Sequence, residues 1–367
     1  MIIRNGAVFK EDGTFRQEDL YVEGHRIVAS EEEVTDRTEV DAKGLLVIPG
    51  LVDIHSHGAF GHDFSDADTE GLKTILKYER SCGITSYCPT SMTLPGEQLK
   101  EIFATAVEAA GTEGGAVIRG INMEGPFLDV KKKGAHVEGY IRKPDAEFFR
   151  ELNAASGNMV KLVTLAPNTE GAMDFIDAVH DEVCISLGHT GADYETAYQA
   201  MKRGAHHVTH LYNAMMPLGH RDPGLIGAAS DDPFCMVELI SDGLHIHPSV
   251  VRATFRMFGS ERVVLISDSM MATGMANGQY ELGGQAVTVK DRKATLADGT
   301  IAGSATNLYD CMCKAISFGV PVSEAIFAAT RNPARSIGIY DKVGSLTPGK
   351  EADILLVTPE MELKTVL

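Results

Sequence analysis

Pro49-Gly50-Leu51-Val52-Asp53-Ile54-His55-Ser56-His57-Gly58 is the stretch at which the pattern of the chain changes. Before it lie short strand-like runs separated by turns: Met1-Ile2-Ile3, Leu20-Tyr21-Val22, Arg26-Ile27-Val28 and Leu45-Leu46-Val47-Ile48. From Leu51 onward, short β-branched runs are each followed by a longer helical pattern, the signature of repeated βα units. Eight such runs stand at 51–55, 84–89, 117–123, 160–165, 183–188, 206–210, 235–241 and 262–267. Helical patterns fill most of the gaps, as in Glu70 to Arg80, Gly96 to Ala110 and Ala192 to Arg203. Eight parallel strands with crossover helices imply an α/β fold, a closed (β/α)8 TIM-like barrel, because an open sheet leaves edges.

After the eighth run the regularity breaks at an insertion near 279–303, whose Gly-Gly, Asp-Arg-Lys and Asp-Gly turns predict a β-hairpin. Two helices are expected near 304–318 and 321–330. The last segment, Glu351-Ala352-Asp353-Ile354-Leu355-Leu356-Val357, is strand-like and follows the turn Thr347-Pro348-Gly349-Lys350. A strand with an apolar face needs a sheet, so this segment is expected to rejoin the N-terminal strands. The expected division is a small β-sandwich domain from 1–48 plus 340–367, and a catalytic barrel from 49–339.

With 367 residues, 44% of them hydrophobic, the chain has enough apolar material for a large core. Its net charge of -18 repels a phosphate backbone, so non-specific nucleic-acid binding lacks its electrostatic source and a phosphorylated small substrate needs local cations. No run reaches the roughly 18 apolar residues of a membrane span. The cysteines, at 82, 88, 184, 235, 311 and 313, form no CxxC pair and read as reduced thiols of a cytoplasmic protein.

Five of the predicted strands end in metal-ligand residue types. His55 and His57 follow the first, Glu124 the third, His189 the fifth, His210 the sixth and Asp268 the eighth. In a barrel of this kind the C-terminal strand ends line the active site, so residues far apart in sequence converge on one rim. Any one histidine here reads as a hydrogen-bonded core residue; the set reads as a metal site. Imidazoles with a carboxylate suit a divalent cation, with Zn2+ first and Fe2+, Mn2+ or Co2+ as alternatives, one or two per subunit. Asp268 follows Val263-Val264-Leu265-Ile266, where an apolar strand opens into a pocket. Beside a cation it stays ionised and takes a proton from water; the competing role is a turn cap. The excursion from Glu124 through Lys131-Lys132-Lys133-Gly134-Ala135-His136 has the length of a lid, and its lysines read as a solvated face. His247 reads equally as a helix cap. No GxSxG elbow, GxGxxG or Walker loop is present.

Four of these motifs, taken in order, resemble a known family. The Pro49 to Gly58 stretch resembles the opening strand of the amidohydrolase superfamily. Met123-Glu124-Gly125-Pro126-Phe127, Gly188-His189-Thr190-Gly191 and Thr209-His210-Leu211-Tyr212-Asn213-Ala214-Met215 are similar to its N-acetylglucosamine-6-phosphate deacetylase family, and the likeness runs along essentially the whole chain. Many amidohydrolases bridge two metals with a carboxylated lysine from the fourth strand. Here that strand, Lys161 to Pro167, has its only lysine at the wrong end; the resemblance gives the ligand role to Glu124 instead, bridging if two ions bind. It further implies that Ala135, His136, Asn213, Ala214, Arg221, His245 and the backbone of Ile301, Ala302 and Gly303 contact a sugar phosphate. Arg221 would come from the neighbouring subunit of a homodimer. The implied reaction is hydrolysis of the acetamide of N-acetyl-D-glucosamine 6-phosphate to D-glucosamine 6-phosphate and acetate. In it a metal-activated water is the nucleophile, Asp268 the general base and acid, and His136 a donor to the oxyanion. Two alternatives stay open at this stage: another N-acyl substrate, or a non-catalytic amino-sugar-phosphate sensor. Retention of Asp268 with every ligand argues against the sensor.

Overall fold

The computed structural model describes all 367 residues. Eight parallel strands form its centre: Leu51–Ser56, Ile84–Ser91, Ile121–Phe127, Val160–Leu165, Cys184–Leu187, His207–Val208, Met236–Ile240 and Val263–Ile266. Seven neighbouring pairs share ladders in that order. Between the eighth and the first the closure is made by a Ser56/Ser269 bridge and by the Asp268 N–H donating to the His55 carbonyl at 2.9 Å. The (β/α)8 barrel expected from the repeat is therefore present.

The alternation along the strands explains the two layers of core. Val52, Ile54, Cys88, Leu162, Ile240, Val264 and Ile266 fill the barrel interior, while the intervening residues face the helices in a larger cluster. The helices start where short polar side chains satisfy their free N–H groups. Asp68 caps Thr69–Ser81, Asp145 caps Ala146–Ala155, Asp193 caps Tyr194–Lys202 and Asn307 caps Leu308–Ser317. His247, read as a possible site residue or a cap, accepts the Ser249 N–H and caps Pro248–Phe258.

One strand lies elsewhere than its sequence suggests. The run at 117–123 divides into a short edge strand, Val117–Ile118, and the barrel strand Ile121–Phe127. Arg119 and Gly120 interrupt it because Arg119 turns to bind Glu351 (2.5 Å) and Asp353 (3.4 Å), tying the barrel to the C-terminal segment. The terminal strands Ile2–Phe9, Phe15–Glu23, Arg26–Val28, Glu39–Asp41, Leu46–Pro49, Ile354–Val357 and Leu363–Val366 share one hydrogen-bonded network, in which Ile354–Val357 pairs antiparallel with Leu46–Pro49. They enclose a separate apolar cluster around Ile3, Val8, Leu20, Val47 and Leu356. The insertion is a three-stranded antiparallel sheet, Gly278–Leu282, Gln285–Lys290 and Lys293–Thr295, one strand more than a hairpin. Its Gln285 amide donates to the Ala135 carbonyl, so it braces the loop that carries His136. No helix is long and apolar enough to cross a membrane.

Candidate active site

A cavity of about 420 Å³ opens at the C-terminal rim of the barrel. Its wall includes His57, Glu124, His136, His189, His210 and Asp268, contributed by five strand ends and the loop after the third strand. His189 (φ 47°), His210 (φ 28°) and Asp268 (φ 47°) all adopt the left-handed backbone region that side-chain-bearing residues rarely enter. Each lies two residues past its strand, and the turn swings its side chain inward; such strain persists where the surrounding structure over-determines it.

Glu124 is the hub. Its Oε1 lies 3.1 Å from His189 Nε2, 2.9 Å from His210 Nε2 and 3.5 Å from His55 Nε2. Its Oε2 lies 3.2 Å from His57 Nε2 and 3.3 Å from His136 Nε2. Asp268 Oδ1 faces His57 Nε2 at 3.3 Å and His55 Nε2 at 3.7 Å. All of these groups are buried, and His55 lies fully enclosed behind His57.

The outer ring nitrogens settle the tautomers. A carbonyl oxygen only accepts, so His57 Nδ1 donates to Thr90 (3.1 Å) and His189 Nδ1 donates to Lys132 (2.9 Å). His55 Nδ1 donates to the Glu238 carboxylate at 2.9 Å, and its Nε2 has no hydrogen-bond partner. The Nε2 atoms of His55, His57 and His189 therefore converge on two carboxylates, and they would offer lone pairs to a cation bound in place of protons. Imidazole nitrogens crowded against carboxylates, with His189 Nε2 only 3.0 Å from His210 Nε2, are a donor set that a divalent cation satisfies. The residues fit such an ion. His136 differs from the others. The Thr93 N–H donates to its Nδ1 at 3.2 Å, so its Nε2 carries the proton. Although its ring nitrogen comes within 4.8 Å of the ligand atoms of Glu124 and His189, that tautomer makes it a donor.

The charge balance follows. Burial opposes ionisation of Asp268, but the His57 hydrogen bond and the His55 and His57 charges hold its carboxyl down at about 2. Burial likewise opposes charge on His57, yet hydrogen bonds to Asp268 and Glu124 push it up to about 10. Glu124 is held well below the usual range, as the surrounding imidazoles outweigh its burial. Burial dominates at His136 and lowers it to about 4, leaving it neutral near pH 7.

Ala135, Asn213, Ala214, His245, Ile301 and Gly303 line the same cavity. His245 is oriented by a 2.8 Å hydrogen bond to Asp242. Ala302 is buried, and its N–H is taken by the Ala294 carbonyl inside the insertion. Arg221 is not among the wall residues: it is exposed and bonded to His220 at 2.8 Å. The lysine run is solvated in part, with Lys131 exposed, but Lys131 and Lys132 also line the cavity and Lys132 Nζ donates to the Met215 carbonyl. Glu238 was not anticipated. Its only signal is an acidic residue at an inward position of the apolar strand Met236-Val237-Glu238-Leu239-Ile240.

The Amidohydrolase family matches residues 46–367. N-acetylglucosamine-6-phosphate deacetylase of Bacillus subtilis is 38% identical over 324 residues, 87% of this chain and 82% of its own. That of Bos taurus is 33% identical over 381 residues, 99% of this chain and 91% of its own. The chain belongs to the amidohydrolase family, among its N-acetylglucosamine-6-phosphate deacetylases. Solved members of this group superpose closely. The Mycobacterium smegmatis deacetylase has a TM-score of 0.91 at 30% identity, covering 100% of this chain and 98% of that one. A mutant of it, in complex with N-acetyl-D-glucosamine-6-phosphate, gives 0.91 at 31% identity, covering 100% and 97%. An amidohydrolase of this group works with a divalent metal, and the His/Glu cluster at the barrel mouth is suited to hold one.

Proposed function

We propose that this amidohydrolase removes the acetyl group of N-acetyl-D-glucosamine 6-phosphate, giving D-glucosamine 6-phosphate and acetate, with Asp268 as the proton carrier and His136 as the oxyanion donor. The observation that carries the reading is the opposition of tautomers at one cavity. Three imidazoles, each already donating through Nδ1, turn Nε2 toward Glu124 and Asp268 where a cation would bind, while His136 accepts at Nδ1 and turns an Nε2 proton there.

Glu124, His189 and His210 would hold one divalent cation, with His55 and His57 available for a second, and Zn2+ suits the nitrogen-rich donor set best. Such a cation would acidify water and polarise the acetamide carbonyl, which a carboxylate as weakly basic as Asp268 requires in order to act. Asp268 takes a proton from water as the oxygen attacks the carbonyl carbon and the C–O bond forms. His136 Nε2–H donates to the carbonyl oxygen as negative charge develops on it. Asp268 then returns the proton to the amide nitrogen, the C–N bond breaks, and amine and acetate leave. Asn213, Ala214, His245, Ile301 and Gly303 form the wall against which the sugar is oriented.

The phosphate needs cations that the chain's overall charge does not supply. Lys131 and Lys132 stand in the wall, and Arg221, absent from the wall of its own chain's cavity, would serve a neighbouring one from a second subunit. Arg221 is exposed on a loop that also exposes Met216 (43%) and Leu218 (46%), which supports a homodimer interface there. Six unpaired thiols support a reducing, cytoplasmic setting. Acetate release from the 6-phosphorylated substrate, compared with unphosphorylated N-acetylglucosamine and other N-acyl compounds, tests the reading. Absence of release from the phosphorylated sugar by the metal-loaded protein would remove it.

A further inference from the structure

A carboxylate inside the strand layer of a barrel is costly unless its partners compensate it. Glu238 is fully buried in Met236–Ile240, on the same inward row as Ile240. It belongs to none of the groups assigned above to water, proton or sugar. Its Oε2 makes two contacts that join opposite parts of the site: His55 Nδ1 donates to it at 2.9 Å, and the backbone N–H of His210 donates to the same oxygen at 3.0 Å. The Glu238 carbonyl also accepts the Leu211 N–H at 2.8 Å, so the turn after the sixth strand is fastened on both sides of this residue.

The two contacts do different work. At His55, the accepted proton fixes the ring with its Nε2 facing Glu124 and Asp268, so that this nitrogen is the one open to a cation. At His210, the outer nitrogen has no orienting partner, because Nδ1 is buried without a hydrogen bond and only Nε2 is engaged, by Glu124 at 2.9 Å. Away from Glu124, what positions that imidazole is its backbone, strained at φ 28° and tied to Glu238. His57 and His189 have carbonyl acceptors on their outer nitrogens; His55 and His210 share one carboxylate oxygen instead.

We propose that Glu238 is the positioning residue of the metal centre, one oxygen setting the tautomer of His55 and the backbone of His210 together. The proposal rests on the reading of Glu124, His189 and His210, with His55 and His57, as the cation site. His55 depends on Glu238 directly and His210 only through its backbone, so loss of the carboxylate weakens the His55/His57 position first. Histidine ligands that lose an orienting partner typically lose 10–100-fold in metal affinity.

The test compares the wild type with Glu238→Gln and Glu238→Leu, each reconstituted with Zn2+ and dialysed against graded chelator, with zinc counted per chain. Histidine nitrogen spectra are recorded on the zinc-loaded proteins. The wild type is expected to retain two ions and to show His55 protonated at Nδ1. Glu238→Leu keeps the volume and removes the acceptor. It should release one ion at 10–100-fold lower chelator strength and lose the His55 Nδ1–H signal. Glu238→Gln, which keeps an accepting oxygen, should restore that signal and part of the affinity. Wild-type zinc retention and an unchanged His55 tautomer in Glu238→Leu would overturn the proposal, since filling space would then be the residue's whole role. Should the wild type hold a single ion, the two-ion reading fails, and the spectra alone decide. A His55 tautomer that depends on Glu238 upholds the positioning role, and one that does not ends it. A wild type that binds no zinc fails the cation reading itself, and the proposal falls with it.

Discussion

The backbone N–H of Thr93 donates to Nδ1 of His136 over 3.2 Å, which leaves the ring proton on Nε2, 3.3 Å from Glu124 Oε2. That bond separates a hydrogen-bond donor from the ligand histidines beside it. It predicts that His136→Ala lowers kcat by about 10²–10³, the usual cost of one preorganised oxyanion donor, while zinc per chain stays at the wild-type value. Metal analysis alongside steady-state kinetics checks this. Loss of metal in step with activity would make His136 a ligand.

Asp268 is ionised down to about pH 2 by its imidazole neighbours, so it is available as a proton acceptor throughout the working range. Asp268→Asn is isosteric and cannot take the proton. A fall in kcat of about 10²–10⁴ is expected, with fold and metal retained. Circular dichroism and metal content separate this outcome from unfolding, and near-wild-type turnover would take Asp268 out of the mechanism.

Six of the site residues were legible because each interrupts an apolar run at a strand end: His55, His57, Glu124, His189, His210 and Asp268. The barrel rule turns such positions into neighbours without knowledge of any contact. Glu238 escaped because it lies within a strand, where sequence alone does not reveal what faces it from across the barrel. The third strand was shifted because Val117-Ile118 reads as its start, whereas Arg119 leaves the sheet for Glu351 and Asp353, more than 200 positions away. The lysine run was legible only in part for a similar reason. Composition gives Lys131, Lys132 and Lys133 one character, and only the closure of the loop over the mouth decides that two of them line the cavity.

Glu79 gives a prediction about stability. It is fully buried on the helix Thr69–Ser81, and neither carboxylate oxygen has a hydrogen-bond partner. Burial, reinforced by the Asp53 charge, raises its pKa well above the ordinary glutamate value. The folded state therefore binds more protons than the unfolded one above about pH 4.3. The stability associated with the protonated form is fully present below that pH and is lost as pH rises toward the folded-state pKa. Glu79→Gln removes the titration. Its melting temperature should match the wild type near pH 4 and exceed it by a few degrees at pH 8, from about 1–3 kcal/mol of relieved burial cost. A difference independent of pH would show that Glu79 does not carry it.

Arg221 is the residue whose proposed role a single subunit does not explain. It is exposed, it bonds only its neighbour His220, and the cavity of its own chain is lined without it. A guanidinium matches phosphate oxygens in a fixed fork, and the net charge of -18 offers a phosphate no long-range attraction. If Arg221 serves the neighbouring cavity, Arg221→Ala should raise KM for N-acetyl-D-glucosamine 6-phosphate by tenfold or more. The weaker reaction of unphosphorylated N-acetylglucosamine should change much less, because only the first substrate loses an ionic partner. Equal losses on both would assign the arginine a structural role. Subunit mixing then tests which chain it serves. If the chain forms the proposed homodimer, Arg221→Ala and Asp268→Asn dimers each lack one required group at both sites. In a heterodimer with the arginine acting in trans, the site with an intact Asp268 receives the intact Arg221 of the other subunit, and the second site lacks both. Mixing should therefore restore up to half of the wild-type activity per heterodimer. With the arginine acting in cis, every site still lacks one group, and no activity returns after exchange has been verified by mass spectrometry.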